Sequence, residues 1–110
     1  MIYHLTSKEL WEKALLKGMY AHPSLEAEGF IHASTEQQLF ETVQIHFQNH
    51  TEIWVLHIVE KRIKNKMKWE TARDQLFPHI YGQIPLEAIE DVSFLTKNLD
   101  GLWEWNRKGL

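Results

Sequence analysis

Three histidines interrupt short apolar or turn-forming segments of this chain: Ile2-Tyr3-His4-Leu5-Thr6, Gly29-Phe30-Ile31-His32-Ala33-Ser34-Thr35 and Phe77-Pro78-His79-Ile80-Tyr81-Gly82. A fourth polar group, Glu70, closes Lys68-Trp69-Glu70. An imidazole is costly to bring inward unless its ring nitrogens find partners, so these segments point to one shared polar cleft. His4 shares a strand face with Ile2 and Thr6 and suits a neutral imidazole holding a ligand hydroxyl. His32 follows Phe30 on one face, and Ser34 and Thr35 stand where that strand turns into a helix, a place that attracts phosphate. Glu70 beside the Trp69 indole is expected to have a raised pKa and to serve as a general base or sugar-hydroxyl acceptor. His79 and Tyr81 alternate on one face, with Pro78 fixing the approach and Gly82 the exit. Tyr81 there can stack on a flat ring. The expected catalytic set is Glu70, His79 and His32. His4, Thr6, Ser34, Thr35 and Tyr81 are the expected ligand contacts.

Each of these has a structural reading too. His4 can be a core-edge histidine bonded to backbone, Ser34 a plain helix cap, Glu70 a solvated strand end and Tyr81 a core residue with a satisfied hydroxyl. Ser34 is no nucleophile candidate, since no G-x-S-x-G elbow surrounds it. His57 falls on the Ile53, Val55, Val59 face of an apolar strand and reads as a satisfied core histidine. His22, His46 and His50 lie in loop or helix-surface contexts and need no role. Three histidines and a glutamate are a sufficient ligand set for zinc or iron. No pair is spaced i, i+4 on a helix or i, i+2 on a strand, so no metal ligand is assigned and a His/Glu metal site stays an alternative.

The elements that must position these residues follow from periodicity and caps. Met1–Leu5 reads as a strand. Thr6 and Glu9 have capping-box spacing before a helix over Ser7–Lys17 that stops at Gly18. Met19–Glu28 reads as an irregular connection and Gly29–Ala33 as a second strand. A second helix over Thr35–Gln48 carries Leu39, Phe40, Val43 and Phe47 as its apolar stripe, with Ser34 or Thr35 as cap. Ile53–Val59, apolar on both faces, is the central strand. Lys61–Lys66 is a basic surface turn or ragged strand end, Met67–Glu70 a short strand, and Thr71–Pro78 a loop delivering His79 to Tyr81 to the sheet. Pro85–Glu90 reads as a helical turn, Val92–Leu95 as a strand and Leu102–Trp105 as an edge strand. Strands outnumber helices without strict alternation, so the fold class is α+β, with a central mixed or antiparallel sheet and two main helices.

At 110 residues, with 44% hydrophobic and 25% charged residues, the chain fits one soluble domain with one core over 1–110. Five tryptophans supply much of the area a small core needs. A net charge of −3 argues against a DNA-coating surface, and the basic run from Lys61 to Lys68 lacks the interleaved aromatics of a nucleic-acid platform. The absence of cysteine excludes disulfides and thiolate chemistry and is compatible with a cytoplasmic location. Charges by Lys8 and Glu9 argue against a signal peptide, and the apolar run Ile53–Val59 is too short to cross a bilayer.

Taken together, Tyr3-His4-Leu5-Thr6, then Trp11, Ala14, Gly18 and Tyr20, then Gly29-Phe30-Ile31-His32-Ala33-Ser34, Trp69-Glu70 and Phe77-Pro78-His79-Ile80-Tyr81-Gly82 resemble the small bacterial domain of unknown function DUF952, from the first residues to about Leu95. That family often has cysteine where Ala33 stands here. The resemblance implies fold-level similarity to the ADP-ribosyltransferase superfamily, whose members cradle NAD in a cleft between two small sheets. It further implies a His4–Thr6 contact to ribose and a glutamate engaging the ribose hydroxyl during cleavage of the nicotinamide–ribose bond, with NAD as the possible cofactor. Glu70 is the candidate, although the superfamily glutamate normally lies nearer the C-terminus. A non-enzymatic module binding a small molecule or peptide in the same cleft is the other class of function.

Overall fold

The computed structural model describes residues 1–107. The first strand, β1 (Ile2–Thr6), is buried along its whole length. Helix α1 (Lys8–Lys17) follows directly: Ser7 Oγ accepts the Leu10 N–H at 3.2 Å, and Gly18 closes the helix in the left-handed region at φ 82°. The cap is therefore Ser7 and not Thr6, which is the last strand residue. The connection expected to be irregular contains β2 (Met19–Tyr20) and a short helix, α2 (Pro23–Glu28), with Pro23 at its start and Gly29 at its left-handed end. Its N-cap is His22, whose ring nitrogen accepts from Ser24 N–H.

After β3 (Ile31–His32), helix α3 runs over Leu39–His46, shorter than the expected Thr35–Gln48. Thr35 and Gln38 do exchange side-chain and backbone hydrogen bonds, at 3.0 and 3.3 Å, but they brace a turn that precedes the helix. Ser34 caps nothing. Its backbone pairs with Tyr3 instead.

The central strand β4 (Glu52–Ile58) leads into irregular 3-10 turns over Glu60–Lys66, and then into β5 (Met67–Ala72) and β6 (Gln75–Ile80). The loop expected over Thr71–Pro78 is thus a tight hairpin. Its two connecting residues, Arg73 (φ 49°) and Asp74 (φ 61°), both lie in the left-handed region. That is the type I′ pattern, which matches strand twist and normally calls on glycine or asparagine. Asp74→Gly is expected to relieve left-handed strain and raise Tm by a few degrees, about 0.5 kcal/mol after the extra entropy of glycine. A lowered Tm would contradict the hairpin. The chain ends its described part with β7 (Ile84–Pro85), one 3-10 turn over Leu86–Ala88, β8 (Ile89–Lys97) and β9 (Trp103–Asn106).

All strand pairs are antiparallel, in a four-stranded sheet β1-β4-β8-β9, a three-stranded sheet β3-β6-β5 and the pair β2-β7. The α+β class expected from the sequence is present, with the sheet divided in this way. Alternation along β1 and β4 sends side chains to two cores. Ile2, Leu56 and Ile58 pack with Ala14 of α1, Tyr20, Ile31 and Ile80 on one face; Tyr3, Leu5, Ile53 and Val55 pack with Leu39 and Val43 of α3 on the other. Coverage on both faces explains why β4 reads as a continuous apolar run. Among the described residues no helix is long and apolar enough to cross a membrane.

Candidate functional site

His4 lies beside Leu56 in the β1–β4 ladder and is almost fully buried. Its Nδ1 meets the His32 carbonyl at 2.5 Å and its Nε2 meets the Tyr20 hydroxyl at 2.7 Å; that hydroxyl is also 2.7 Å from Thr6 Oγ1. A carbonyl only accepts, so Nδ1 carries the proton, Tyr20 donates to Nε2 and Thr6 donates to Tyr20. Burial pushes the His4 imidazole down to about 3, against the opposing pull of the His32 carbonyl. Burial also pushes the Tyr20 phenol upward. The network is neutral and closed. Within it both ring nitrogens of His4 and the hydroxyl proton of Thr6 are engaged.

The second constellation sits on β6. Register places Lys68 opposite His79 and Glu70 opposite Phe77, so Glu70 lies diagonal to His79 on the same face. His79 Nδ1 donates to Glu70 Oε1 at 2.8 Å, and Tyr81 donates a short hydrogen bond to the same oxygen. These two bonds, Tyr81 first, hold the Glu70 carboxyl below the usual carboxylate range, and the Tyr81 phenol is raised in return. The raised pKa expected for Glu70 is therefore corrected. Neighbours in a strand point to opposite faces, and the Trp69 indole goes to Glu60 Oε2 at 3.3 Å instead of covering Glu70. Phe30 stacks on the His79 ring with centroids 4.1 Å apart. His32, its ring centroid 5.7 Å from that of His79, bonds Glu28 through Nε2 at 3.1 Å.

Between β1, α2, β3, α3 and the β5–β6 hairpin lies a cavity of about 460 Å³. Five of the seven histidines line it: His4, His22, His32, His46 and His79. Ser34 and Thr42 face it together, their hydroxyls 3.2 Å apart, and Arg73 reaches from the hairpin tip to His46 Nε2 at 2.8 Å. Aromatic walls come from Tyr3, Phe47 and Phe77. Of the expected site residues, His4, His32, Ser34 and His79 reach this lining; Thr6, Thr35, Glu70 and Tyr81 do not, Glu70 and Tyr81 standing behind His79.

Sequence reasoning passed over His22, Thr42, His46 and Arg73. The α2 cap was readable in Pro23 and Gly29, but nothing local announces an arginine that crosses to another element. His57 is the core histidine expected, its Nε2 2.6 Å from Ser93 Oγ. Among the described residues no three His, Asp or Glu side chains are grouped to hold a metal ion, so the alternative ligand set is not assembled.

No curated protein matches the chain in sequence. Among solved structures it is similar to protein CC0527 from Caulobacter crescentus, a structural genomics target. The X-ray crystal structure of CC0527 superposes with a TM-score of 0.85 at 27% identity, covering 94% of this chain and 92% of that one. Its solution NMR structure gives a TM-score of 0.78, also at 27% identity, over 92% and 89% of the two chains. Residues 5–92 match the family described as "Protein of unknown function (DUF952)", a span that takes in most of the cavity lining and the braced His79, and the chain belongs to that family.

Proposed function

We propose that the cavity binds NAD or a related nucleotide and that His79 carries the proton in an ADP-ribosyl transfer or NAD hydrolysis, in keeping with the resemblance to the ADP-ribosyltransferase superfamily. The carrying observation is the Glu70–His79 pair: a carboxylate fixes Nδ1–H at 2.8 Å on a histidine that lines the cavity. That tautomer leaves Nε2 as the basic nitrogen, and no described side chain is bonded to it.

Nicotinamide leaves NAD with the electron pair of its bond to ribose, and that step needs no general acid. The proton to be moved belongs to the incoming water or acceptor hydroxyl. Its oxygen bonds the ribose carbon as the proton passes to His79 Nε2, and Glu70 steadies the imidazolium until the proton reaches solvent. With water as acceptor the products are ADP-ribose, nicotinamide and a proton. Glu70, its carboxyl held below the usual range by its two hydrogen bonds, is ionised at neutral pH as any ordinary glutamate is. His79 is then the catalytic residue and Glu70 a positioning residue.

A thermal-shift titration with NAD, ADP-ribose and mononucleotides tests binding, since a ligand held only by the folded state raises Tm. At a concentration about 100 times Kd the expected gain is about 2.7 kcal/mol. Release of nicotinamide, followed by chromatography, tests the reaction. A raised Tm without nicotinamide release replaces the enzyme with a binding module; no Tm response to any of these ligands at millimolar concentration removes the nucleotide reading.

A further inference from the structure

We propose that the end of the cavity formed by Ser34, Thr42, His46 and Arg73 is an anion subsite, built to hold a phosphate group of the ligand whose reacting end lies at His79. The identity of that ligand rests on the function proposed above; the subsite itself rests on geometry. Arg73 stands at the tip of the β5–β6 hairpin, where its left-handed backbone turns the side chain back over Phe77, the guanidinium carbon 4.7 Å from the ring centre. From there Nη1 donates to His46 Nε2 at 2.8 Å and Nη2 lies 3.4 Å from Thr42 Oγ1, which is in turn 3.2 Å from Ser34 Oγ. Three segments distant in the fold, α3, the hairpin and the Ser34 stretch paired with β1, thus bring a fixed cation, an imidazole and two hydroxyls to one end of one cavity.

The proton inventory gives this end its preference. The guanidinium only donates, so His46 accepts through Nε2 and carries its proton on Nδ1. Burial and the Arg73 charge push the His46 imidazole down, which keeps it in this neutral, donating tautomer. Both hydroxyls can rotate to donate as well. The counter-charges are few. Glu41 touches Arg73 at 3.7 Å and is half exposed, and Glu28, the carboxylate of the cavity lining, is held by His32. A set of convergent donors with a weakly neutralised guanidinium suits a phosphate, which supplies several acceptor oxygens at once. The expectation of phosphate at a helix N-terminus beside Ser34 and Thr35 is thereby moved: α3 begins at Leu39, and Arg73 supplies the charge.

The test is a titration of the full chain with inorganic phosphate at constant ionic strength, following the imidazole Cε1–H NMR signals, with His46 assigned by its absence in His46→Asn. The subsite predicts a saturable shift of the His46 signal at millimolar phosphate. Arg73→Gln, which keeps a donor for His46 but removes the charge, is expected to weaken it about tenfold or more. Thr42→Val provides a second variant on a different element, also expected to weaken binding should Arg73→Gln disturb the hairpin. Absence of a saturable shift in the native chain overturns the subsite, as does phosphate affinity in both variants equal to that of the native chain. ADP-ribose run in parallel separates the two proposals. If it raises Tm equally in native chain and Arg73→Gln, the subsite falls and the nucleotide reading stands. If phosphate saturates the native site while NAD and ADP-ribose do not bind, the subsite stands and the nucleotide reading falls.

Discussion

Lowering the pH from 8 to 5 is expected to cost the folded state about 2 kcal/mol through His4 alone. In the unfolded chain this imidazole titrates near its ordinary 6.5, whereas in the fold burial holds it near 3. Between those values the unfolded chain binds a proton that the folded chain refuses. The stabilising difference is therefore fully present above about pH 6.5, shrinks as the pH falls and is exhausted below about pH 3. His22, His46 and His57 are shifted in the same direction by burial and steepen the same slope. Urea midpoints at pH 8 and pH 5 measure the loss, and His4→Gln, which keeps hydrogen-bonding capacity without a titrating ring, is expected to flatten the dependence. Tyr20→Phe attacks the same network at constant pH. It leaves His4 Nε2 and Thr6 Oγ1 buried without their shared partner, at a cost of about 1–3 kcal/mol and a Tm lowered by about 4–8 °C for each kcal/mol. A midpoint that does not move between pH 5 and 8, or a His4→Gln slope equal to the native one, would show that His4 is not the buried neutral residue described.

What could be read from the sequence is what short-range chemistry dictates. The apolar stripe and Gly18 after it announce α1, although its cap is Ser7 and not the expected Thr6, and the apolar run of β4 announces a strand covered on both sides. The segments around His4, His32 and His79 stood out because imidazoles among apolar neighbours demand partners, and His4 and His79 find theirs in Tyr20 and Glu70. The rest depended on contacts between distant elements. The Arg73–Asp74 turn carries neither glycine nor asparagine, so the hairpin that creates β5 and β6 looked like a loop. Glu70 was placed against Trp69 by adjacency in sequence, but a strand sends neighbours to opposite faces and its partners proved to be His79 and Tyr81. The length of α3 was overestimated because Thr35 and Gln38 use capping chemistry to hold a turn. Arg73 and His46, 27 residues apart, meet only through tertiary folding.

Replacement of His79 is expected to lower the rate of nicotinamide release by about 10²–10⁴-fold while leaving ligand affinity nearly unchanged. His79→Asn keeps a polar side chain of similar reach but removes the basic nitrogen, so a ligand that makes mainly ground-state contacts elsewhere in the cavity still raises Tm. Glu70→Gln should give a smaller loss, again in kcat and not in KM, because Glu70 touches the reaction only through the 2.8 Å bond to His79 Nδ1. Glu70→Asp should recover part of it, since a carboxylate is restored at a slightly longer reach. Tyr81→Phe removes the other bond to Glu70 Oε1 but leaves the carboxylate on His79, and is expected to cost less than about tenfold. The decisive measurement is the double variant. Two residues that act as one unit lose their effect together, so Glu70→Gln combined with His79→Asn should be no slower than His79→Asn alone. Multiplicative losses would mean that Glu70 meets the ligand independently of His79, and a rise in KM on His79→Asn with kcat preserved would return that histidine to a binding role.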